Sequence, residues 1–147
     1  MKNTMIGRMI RKLFLVKEIV SKYGQVHFRR YRLIQTPWFA IYIHQIMKSD
    51  EDIHLHDHPW AFTSVILSGA YQEMWKPDPK TYLRYDNRYQ GDVVVHAATD
   101  AHKLTLLSKE VWTMVFTSGR QRVWGYQTPM GWIPNDQYRE MKNQGLL

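Results

Sequence analysis

Apolar residues recur every three or four positions near the N-terminus, a spacing that places them on one face of a helix. They are Ile6, Met9, Ile10, Leu13, Val16, Ile19 and Val20. Basic residues fall mostly on the opposite face, and Gly24 follows as a stop signal. The pattern predicts one helix over residues 5–22, which we expect to pack its apolar face on the chain's own barrel.

From Val26 onward the pattern changes to short runs of β-branched and aromatic residues separated by turn formers, which is typical of strands. We place strands at 26–34, 38–47, 54–58, 61–67, 70–75, 82–86, 92–96, 102–107, 111–117 and 122–126. So many short strands favour an all-β closed barrel or jelly roll, because closure removes exposed strand edges.

The length of 147 residues is close to the commonest size of one domain. We therefore expect a single domain made of an N-terminal helix (1–24), a β-barrel (26–126) and an irregular C-terminal cover (127–147) that ends in a short helix. Because the chain has no cysteine, disulfides and thiolate metal sites are excluded, and a metal would need imidazole or oxygen ligands.

The formal charge of +7 makes anionic partners such as nucleic acid or phosphorylated metabolites plausible. Much of the excess lies before residue 33, where Glu18 is the only acidic residue, and the preferred explanation is a solvated basic face that aids solubility. No nucleic-acid-binding motif is recognisable, so nucleic acid is the lesser alternative. The apolar stretch 13–16 is too short to span a membrane, and we expect a cytoplasmic protein without membrane contact.

Three alternating histidines, His54, His56 and His58, precede Trp60. In a strand, residues two apart point to the same face about 6.5 Å apart, so two neighbouring imidazoles can reach one ion. The outer two would lie roughly 13 Å apart, so all three cannot easily share a metal. The residues alone leave open which adjacent pair binds.

The spacing after these histidines resembles the first motif of the cupin superfamily, which is His-x-His, three or four residues, a Glu, six residues and a Gly. Starting from His56 and His58, the motif leads through position 62 to Gly69. Position 62 is Phe62 instead of Glu. The resemblance therefore selects the second pair of the row and removes the usual carboxylate.

The second cupin motif begins with a Gly and places a His eleven residues later, which is the distance from Gly91 to His102. Ala97 and Thr99 stand where that motif has Pro and Gly. The resemblance implies a double-stranded β-helix, or jelly-roll barrel, with a metal site made of His56, His58 and His102.

Three neutral imidazoles suit Fe(II), Zn(II), Ni(II), Cu(II) or Mn(II) and leave positions open for water or substrate. The missing motif Glu has two interpretations. Glu73, which follows Gly69 together with Tyr71, could supply a fourth oxygen ligand, and either residue could act as general acid or base. Alternatively, the site is a bare three-His set, which resembles the iron sites of cupin thiol dioxygenases.

The leading hypothesis is a metal-dependent cupin enzyme that acts on a small anionic molecule by dioxygenation, isomerisation or hydrolysis, with an arginine orienting the substrate. The alternatives are a non-catalytic metal-containing module that recognises nucleic acid or a protein through its basic surface, and a metal-stabilised structural barrel. Residues 56–60, 68–73 and 120–132 also resemble small bacterial and phage cupin-like proteins. A homodimer is implied by the resemblance alone.

Residues around the histidines carry weaker signals. Asp57 alternates to the face opposite His56 and His58, so we expect it to hold a neighbouring strand or loop. His96 is expected to be half-exposed, and His44 to be a satisfied residue of the barrel. Four tryptophans are expected around the site: Trp60, Trp112, Trp124 and Trp132.

Overall fold

The computed structural model of the protein describes residues 4–147. Two helices and twelve strands follow one another along this part of the chain. They are α1 (Met5–Phe14), β1 (Leu15–Val20), β2 (Val26–Gln35), β3 (Phe39–Ile46), β4 (Leu55–His56), β5 (Phe62–Ser68), β6 (Ala70–Lys76), β7 (Arg84–Tyr89), β8 (Val93–His96), β9 (Ala101–Leu106), β10 (Val111–Ser118), β11 (Gly125–Thr128), β12 (Gly131–Pro134) and α2 (Asn135–Asn143).

The strands form two six-stranded antiparallel sheets. The first has the order β1-β2-β3-β10-β5-β8, and the second has the order β12-β11-β4-β9-β6-β7. Besides hairpin neighbours such as β2 and β3, each sheet pairs strands from distant parts of the chain, such as β3 with β10 and β4 with β11, as in a jelly roll. The predicted all-β architecture is confirmed. Within residues 4–147, neither helix has the length and apolar character needed to cross a membrane.

The N-terminal segment differs from the predicted single helix over 5–22. The helix α1 ends at Phe14, and the chain continues as strand β1, which pairs antiparallel with β2 from Leu15 opposite Tyr31 to Val20 opposite Val26. The apolar residues of 15–20 include β-branched Val16, Ile19 and Val20. Their preference for extended backbone and the free edge of β2 outweigh the helical spacing. The first three residues of the predicted unit 1–24 lie outside the described part of the chain.

The apolar face of α1 is not packed on the barrel, contrary to the expectation from its spacing. Met5, Ile6, Met9 and Leu13 are 80%, 62%, 56% and 66% exposed, and Gly7 is the buried residue of this helix. A pattern of apolar positions specifies which face can be buried, whereas the position of the helix beside the sheet decides whether it is.

The C-terminal segment is more regular than the predicted cover. Strands β11 and β12 form a hairpin that extends the second sheet, with Tyr126 opposite Ile133. Helix α2 follows directly and buries Tyr138, whose ring stacks on Tyr126 with a centroid separation of 3.7 Å. The predicted short helix is present, but the barrel continues beyond residue 126 because β11 pairs with β4.

The apolar core lies between the two sheets. Its centre is formed by Ile66, Tyr71, Val94 and Val111. The tight connection between β5 and β6 needs Gly69, which has a φ of +84°. A Cβ at this position would lie 2.3 Å from the carbonyl oxygen of Glu110, so the turn excludes other residues.

Candidate metal centre

Strand pairing brings three histidines together from two strands. His56 on β4 is the direct cross-strand partner of His102 on β9, and His58 follows two residues after His56. The ring centroids are 4.9 Å apart for His56 and His102, 4.8 Å for His58 and His102, and 5.2 Å for His56 and His58. One ligand atom of each ring lies within 4.8 Å of the other two, so the three can hold one metal ion.

The electrostatic environment keeps His56 and His58 neutral. Burial, with a further contribution from nearby His102, lowers the pKa of His56 to about 4. Burial also holds the pKa of His58 well below its ordinary value, and repulsion from His102 and His56 acts in the same direction. Only a neutral imidazole has a lone pair for a metal, so both rings are in the ligating form at neutral pH.

An unsatisfied atom in this set also fits a bound cation. The Nδ1 atom of His58 is buried and, within residues 4–147, has no hydrogen-bond partner. Buried polar atoms normally have a partner, and an unpaired one calls for an explanation such as an ion. Three converging imidazoles, one of which has an unpaired buried nitrogen, form a donor set that suits a divalent transition metal.

His54, the first histidine of the row, takes a different role. Its Nδ1 atom lies 2.9 Å from the hydroxyl of Tyr138 on α2, and the two rings are in edge contact. The strand at this point is only the two residues Leu55–His56, shorter than the predicted 54–58. The row therefore does not run straight, and the histidine pair next to His102 is His56 with His58.

A buried carboxylate orients His102. Glu73 on β6 is fully buried, and its Oε1 atom accepts hydrogen bonds from His102 Nδ1 and His96 Nε2, each at 2.7 Å. Its Oε2 atom accepts from Arg88 Nε at 3.1 Å. Burial acts to raise the pKa of Glu73, but the hydrogen bonds from His102 and His96 lower it below its usual range. The carboxylate is therefore ionised, and it leaves Nε2 of His102 as the nitrogen that can bind a metal.

His96 belongs to this network and is not half-exposed as expected. It is 3% exposed, and its Nδ1 atom lies 3.1 Å from the carboxylate of Asp100. Because carboxylates only accept, both ring nitrogens donate and the ring carries a positive charge. Burial lowers the pKa of His96, but its bonds to Glu73 and Asp100 raise it above the ordinary value. Spacing in the sequence gave no signal for this role, since β8 and β6 meet only through the fold.

A second group of metal-ligand types shares His102. The ligand atoms of Glu73, His96 and His102 also lie within 4.8 Å of one another. In this group, however, hydrogen bonds of 2.7 Å already join the carboxylate to both rings. The group is therefore internally satisfied, whereas the three-His group retains an unpaired nitrogen.

Phe62 occupies the position at which the cupin motif has a Glu. Its ring lies in edge contact with His58, at a centroid separation of 4.7 Å, and is 5.9 Å from His102. The motif carboxylate is thus replaced by an apolar contact. Instead, the carboxylate of Glu73 on β6, the strand after β5, accepts a hydrogen bond from Nδ1 of His102.

Asp57 fixes the other side of the site, as expected for a residue on the opposite face. It is 2% exposed and accepts hydrogen bonds from Gly125 N–H at 2.6 Å and Trp132 Nε1 at 2.8 Å. Arg122 forms an ion pair with it at 2.7 Å. These contacts join the end of β4 to the C-terminal hairpin and so fix the backbone that carries His56 and His58.

The histidines face a cavity of about 430 Å³ between the two sheets. Tyr71, Trp60 and Trp124 line it, so two of the four tryptophans expected at the site are there. Trp112 lies on the outer face beside α1, and Trp132 is 41% exposed, although its indole holds Asp57. Burial raises the pKa of Tyr71, and the negative charge of Glu73 adds to this, so its phenol keeps the proton.

The sequence matches neither a protein family model nor a curated protein. The structure, in contrast, is similar to solved ones. HppE in its Fe(II) form aligns with a TM-score of 0.56 and 12% identity over 69% of this chain and 54% of that chain. KdgF from Halomonas sp. aligns with a TM-score of 0.54 and 14% identity over 74% of this chain and 94% of that chain. The chain has the cupin fold.

A hydroxypropylphosphonic acid epoxidase from S. wedmorenis is a further cupin neighbour, with a TM-score of 0.52 and 12% identity over 69% of this chain and 55% of that chain. The chain thus spans about half the length of the epoxidase and of HppE. At these identities the similarity establishes the fold and not the reaction. The jelly roll that the strand pattern favours and the cupin resemblance implies is confirmed.

Proposed function

We propose that the protein is a metal-dependent cupin enzyme that acts on a small anionic molecule, with one divalent transition metal bound by His56, His58 and His102. The observation that carries this proposal is the convergence of three imidazoles, with ligand atoms within 4.8 Å of one another, on a cavity of about 430 Å³. Cavities of this size accommodate small-molecule ligands. The cytoplasmic location and the homodimer remain predictions from the sequence.

Two residues beside the histidines have distinct roles in this proposal. A divalent ion bound to the three imidazoles would supply a Lewis acid and open positions for substrate. Glu73, which is ionised and engaged by three side chains, positions His102 and does not carry a proton. Tyr71 lines the cavity and keeps its phenolic proton, so it is the donor available to a substrate oxygen.

The cupin neighbours support a metal-dependent reaction without defining it. Iron is named for HppE in the Fe(II) form, and the epoxidase is named for a phosphonic acid. Among the metals that suit imidazole ligands, Fe(II) is consistent with that neighbour, and Zn(II), Ni(II) and Mn(II) suit the same donor set. Dioxygenation, isomerisation and hydrolysis all remain compatible with an open three-His site.

The metal site is tested by elemental analysis of protein purified without chelator. The wild type should contain close to one divalent transition metal per chain, and the double substitution of His58→Ala and His102→Ala should remove it. His54→Ala is the matched control, because it removes a histidine of the same row that contacts Tyr138 instead. Retention of metal by the double variant, or a metal-free wild type that takes up none on titration, would contradict the assignment.

Enzymatic activity is tested separately with the metal-loaded protein. Small carboxylates and phosphonates are incubated with it in the presence of dioxygen, and their consumption is followed by mass spectrometry. Turnover that disappears in the double variant and persists in His54→Ala supports an enzyme. A wild type that holds metal but has no position free for water, as judged by absorption spectroscopy of the Co(II) form, would indicate a structural metal instead.

A further inference from the structure

The carboxylates that line the cavity already have donors within the protein. Each accepts a hydrogen bond from a side chain or a backbone N–H, so none lacks a donor. They are Asp50, Glu51, Asp52, Asp57 and Glu73. None of these donors is Arg30, so an anion that binds Arg30 does not displace a carboxylate of the cavity from it.

Arg30 is a positively charged residue of the cavity that has no carboxylate partner among residues 4–147. Its side chain extends from β2 into the same cavity, and its Nε–H donates to Nε2 of His44 at 2.9 Å. Of its five N–H groups, the four on the two terminal nitrogens have no acceptor among residues 4–147. No carboxylate of these residues forms an ion pair with it, whereas adjacent Arg29 pairs with Glu18 at 2.6 Å.

The surroundings of Arg30 stabilise a cation without neutralising it. The guanidinium carbon lies 5.0 Å from the ring centroid of Tyr42 and 5.6 Å from that of Trp60, both within cation–π distance. His44, which accepts from Arg30, is neutral, since burial and the charges of Arg30 and Lys17 lower its pKa. Arginine keeps its charge in such a site, and a partly buried charge without a counter-ion is costly.

Lys17 adds a second positive charge to the same cavity. It is an exposed residue of β1 that lines the cavity, so it lies at the rim. Partial desolvation of its ammonium at the cavity lowers the pKa of Lys17, and repulsion from Arg30 acts in the same direction. The charge of Arg30 also contributes to the low pKa of His58. The same cavity is thus lined by two cations, Arg30 and Lys17, and by the three histidines.

We propose that the guanidinium of Arg30 binds an oxyanion group of the substrate, a carboxylate, phosphonate or phosphate, in the cavity that the three histidines line. That the bound anion is a substrate rests on the proposed function, whereas its binding to Arg30 does not. Arginine presents two parallel N–H groups that match the two oxygens of such an anion. With Nε engaged by His44, the two terminal nitrogens supply that pair, and the aromatic rings of Tyr42 and Trp60 restrain the guanidinium plane.

The experiment measures anion binding to the metal-loaded protein by isothermal titration calorimetry. The probes are propionate and propylphosphonate, with uncharged propionamide for comparison, so the two anion sources are distinguished. Arg30→Gln keeps hydrogen-bonding atoms but removes the charge, and Arg30→Lys keeps the charge without the two-pronged geometry. Arg29→Gln is the matched control, because it removes the same charge from the outward face of the same strand.

We expect at least one anion to bind the wild type, about 10-fold to 100-fold more weakly to Arg30→Gln, with an intermediate loss in Arg30→Lys. Arg29→Gln should change the affinity less than about twofold, since Arg29 does not line the cavity and its charge is already paired with Glu18. Arg30→Gln should fold, with a melting temperature no lower than that of the wild type, because it removes an unbalanced charge.

Equal anion affinity in Arg30→Gln and the wild type would overturn the proposal, as would an equal loss in Arg29→Gln or binding of propionamide as tight as that of propionate. Metal content is measured on the same samples. Loss of anion binding with metal retained supports the role of Arg30. Arg30-dependent anion binding in a wild type that holds no metal would overturn the proposed function and leave the anion site standing.

Discussion

The Glu73→Gln substitution tests the buried network that orients His102. It keeps the shape of the side chain and removes one negative charge from a fully buried position. In the wild type, the Oε1 atom of Glu73 accepts from two donors, His102 and His96, and its Oε2 atom accepts from Arg88. A glutamine amide offers one oxygen and one NH₂ group, so it cannot accept all three bonds.

The magnitude follows from the charges that remain. Removing one partner of a buried ion pair costs about 3–5 kcal/mol. Two second contacts limit the loss here, because Arg88 keeps Asp86 at 3.2 Å and His96 keeps Asp100 at 3.1 Å. We therefore expect the free energy of unfolding of the metal-free protein to fall by about 3 kcal/mol, at the low end of that range.

Glu73→Gln should also weaken metal binding, in addition to lowering stability. Loss of a partner that orients a ligating histidine weakens metal binding by about 10-fold to 100-fold. Metal affinity is measured by competition with a chromophoric chelator, and stability by urea unfolding of the metal-free protein. Asp86→Asn is the control: it removes the other carboxylate of Arg88, on the strand beside β6, and does not contact His102.

Wild-type metal affinity in Glu73→Gln would refute the orienting role, even if stability fell. Equal losses of metal affinity in Glu73→Gln and Asp86→Asn would point to Arg88, and not to His102, as the group that matters. Rescue of affinity in Glu73→Asp is not expected, since the shorter side chain cannot reach both histidine rings at 2.7 Å.

Two further predictions concern pH and the C-terminal hairpin. The pKa of His56 is lowered from 6.5 to about 4. Between these pH values the folded state therefore binds fewer protons than the unfolded state. The metal-free protein should lose about 3 kcal/mol of stability as the pH falls from 6.5 to 4, at about 1.4 kcal/mol per pKa unit. Urea unfolding at several pH values measures this, and a loss as large in His56→Phe would show that other groups are responsible. Asp57→Asn should lower the free energy of unfolding by about 3 kcal/mol, because it removes the charge that pairs with Arg122 in a buried position. The exposed substitution Asp136→Asn should change it by less than about 0.5 kcal/mol, and a similar loss in both variants would count against this role.

The sequence by itself determined the strand-rich architecture and the three histidines that meet. Strands leave a local record, since β-branched and aromatic residues alternate between turn formers. The pair His56 and His58 and the distance from Gly91 to His102 follow the spacing of a known motif, so the convergence of the three rings could be anticipated. Their role as metal ligands remains a proposal that the experiments above address.

Only the tertiary structure decided the fate of residues 15–20 and of the C-terminal segment. Helical spacing and strand pairing are both compatible with the apolar residues of 15–20, and the free edge of β2 selects the strand. The same holds for β11, which becomes a strand because β4 lies beside it. Pairing between segments about 70 residues apart has no signature in either segment alone.

The surroundings of the histidines also needed the fold. The sequence left Glu73 as a fourth ligand or a general acid or base, and the packing of β6 between β7 and β9 buries it against His96 and His102 as a hydrogen-bond acceptor. Arg30 and Arg29 are adjacent and chemically identical in the sequence. Arg30 faces the cavity without a counter-ion, and Arg29 pairs with Glu18 outside it, because successive residues of a strand point to opposite faces of the sheet. Only the packing of the two sheets defines which face is inside.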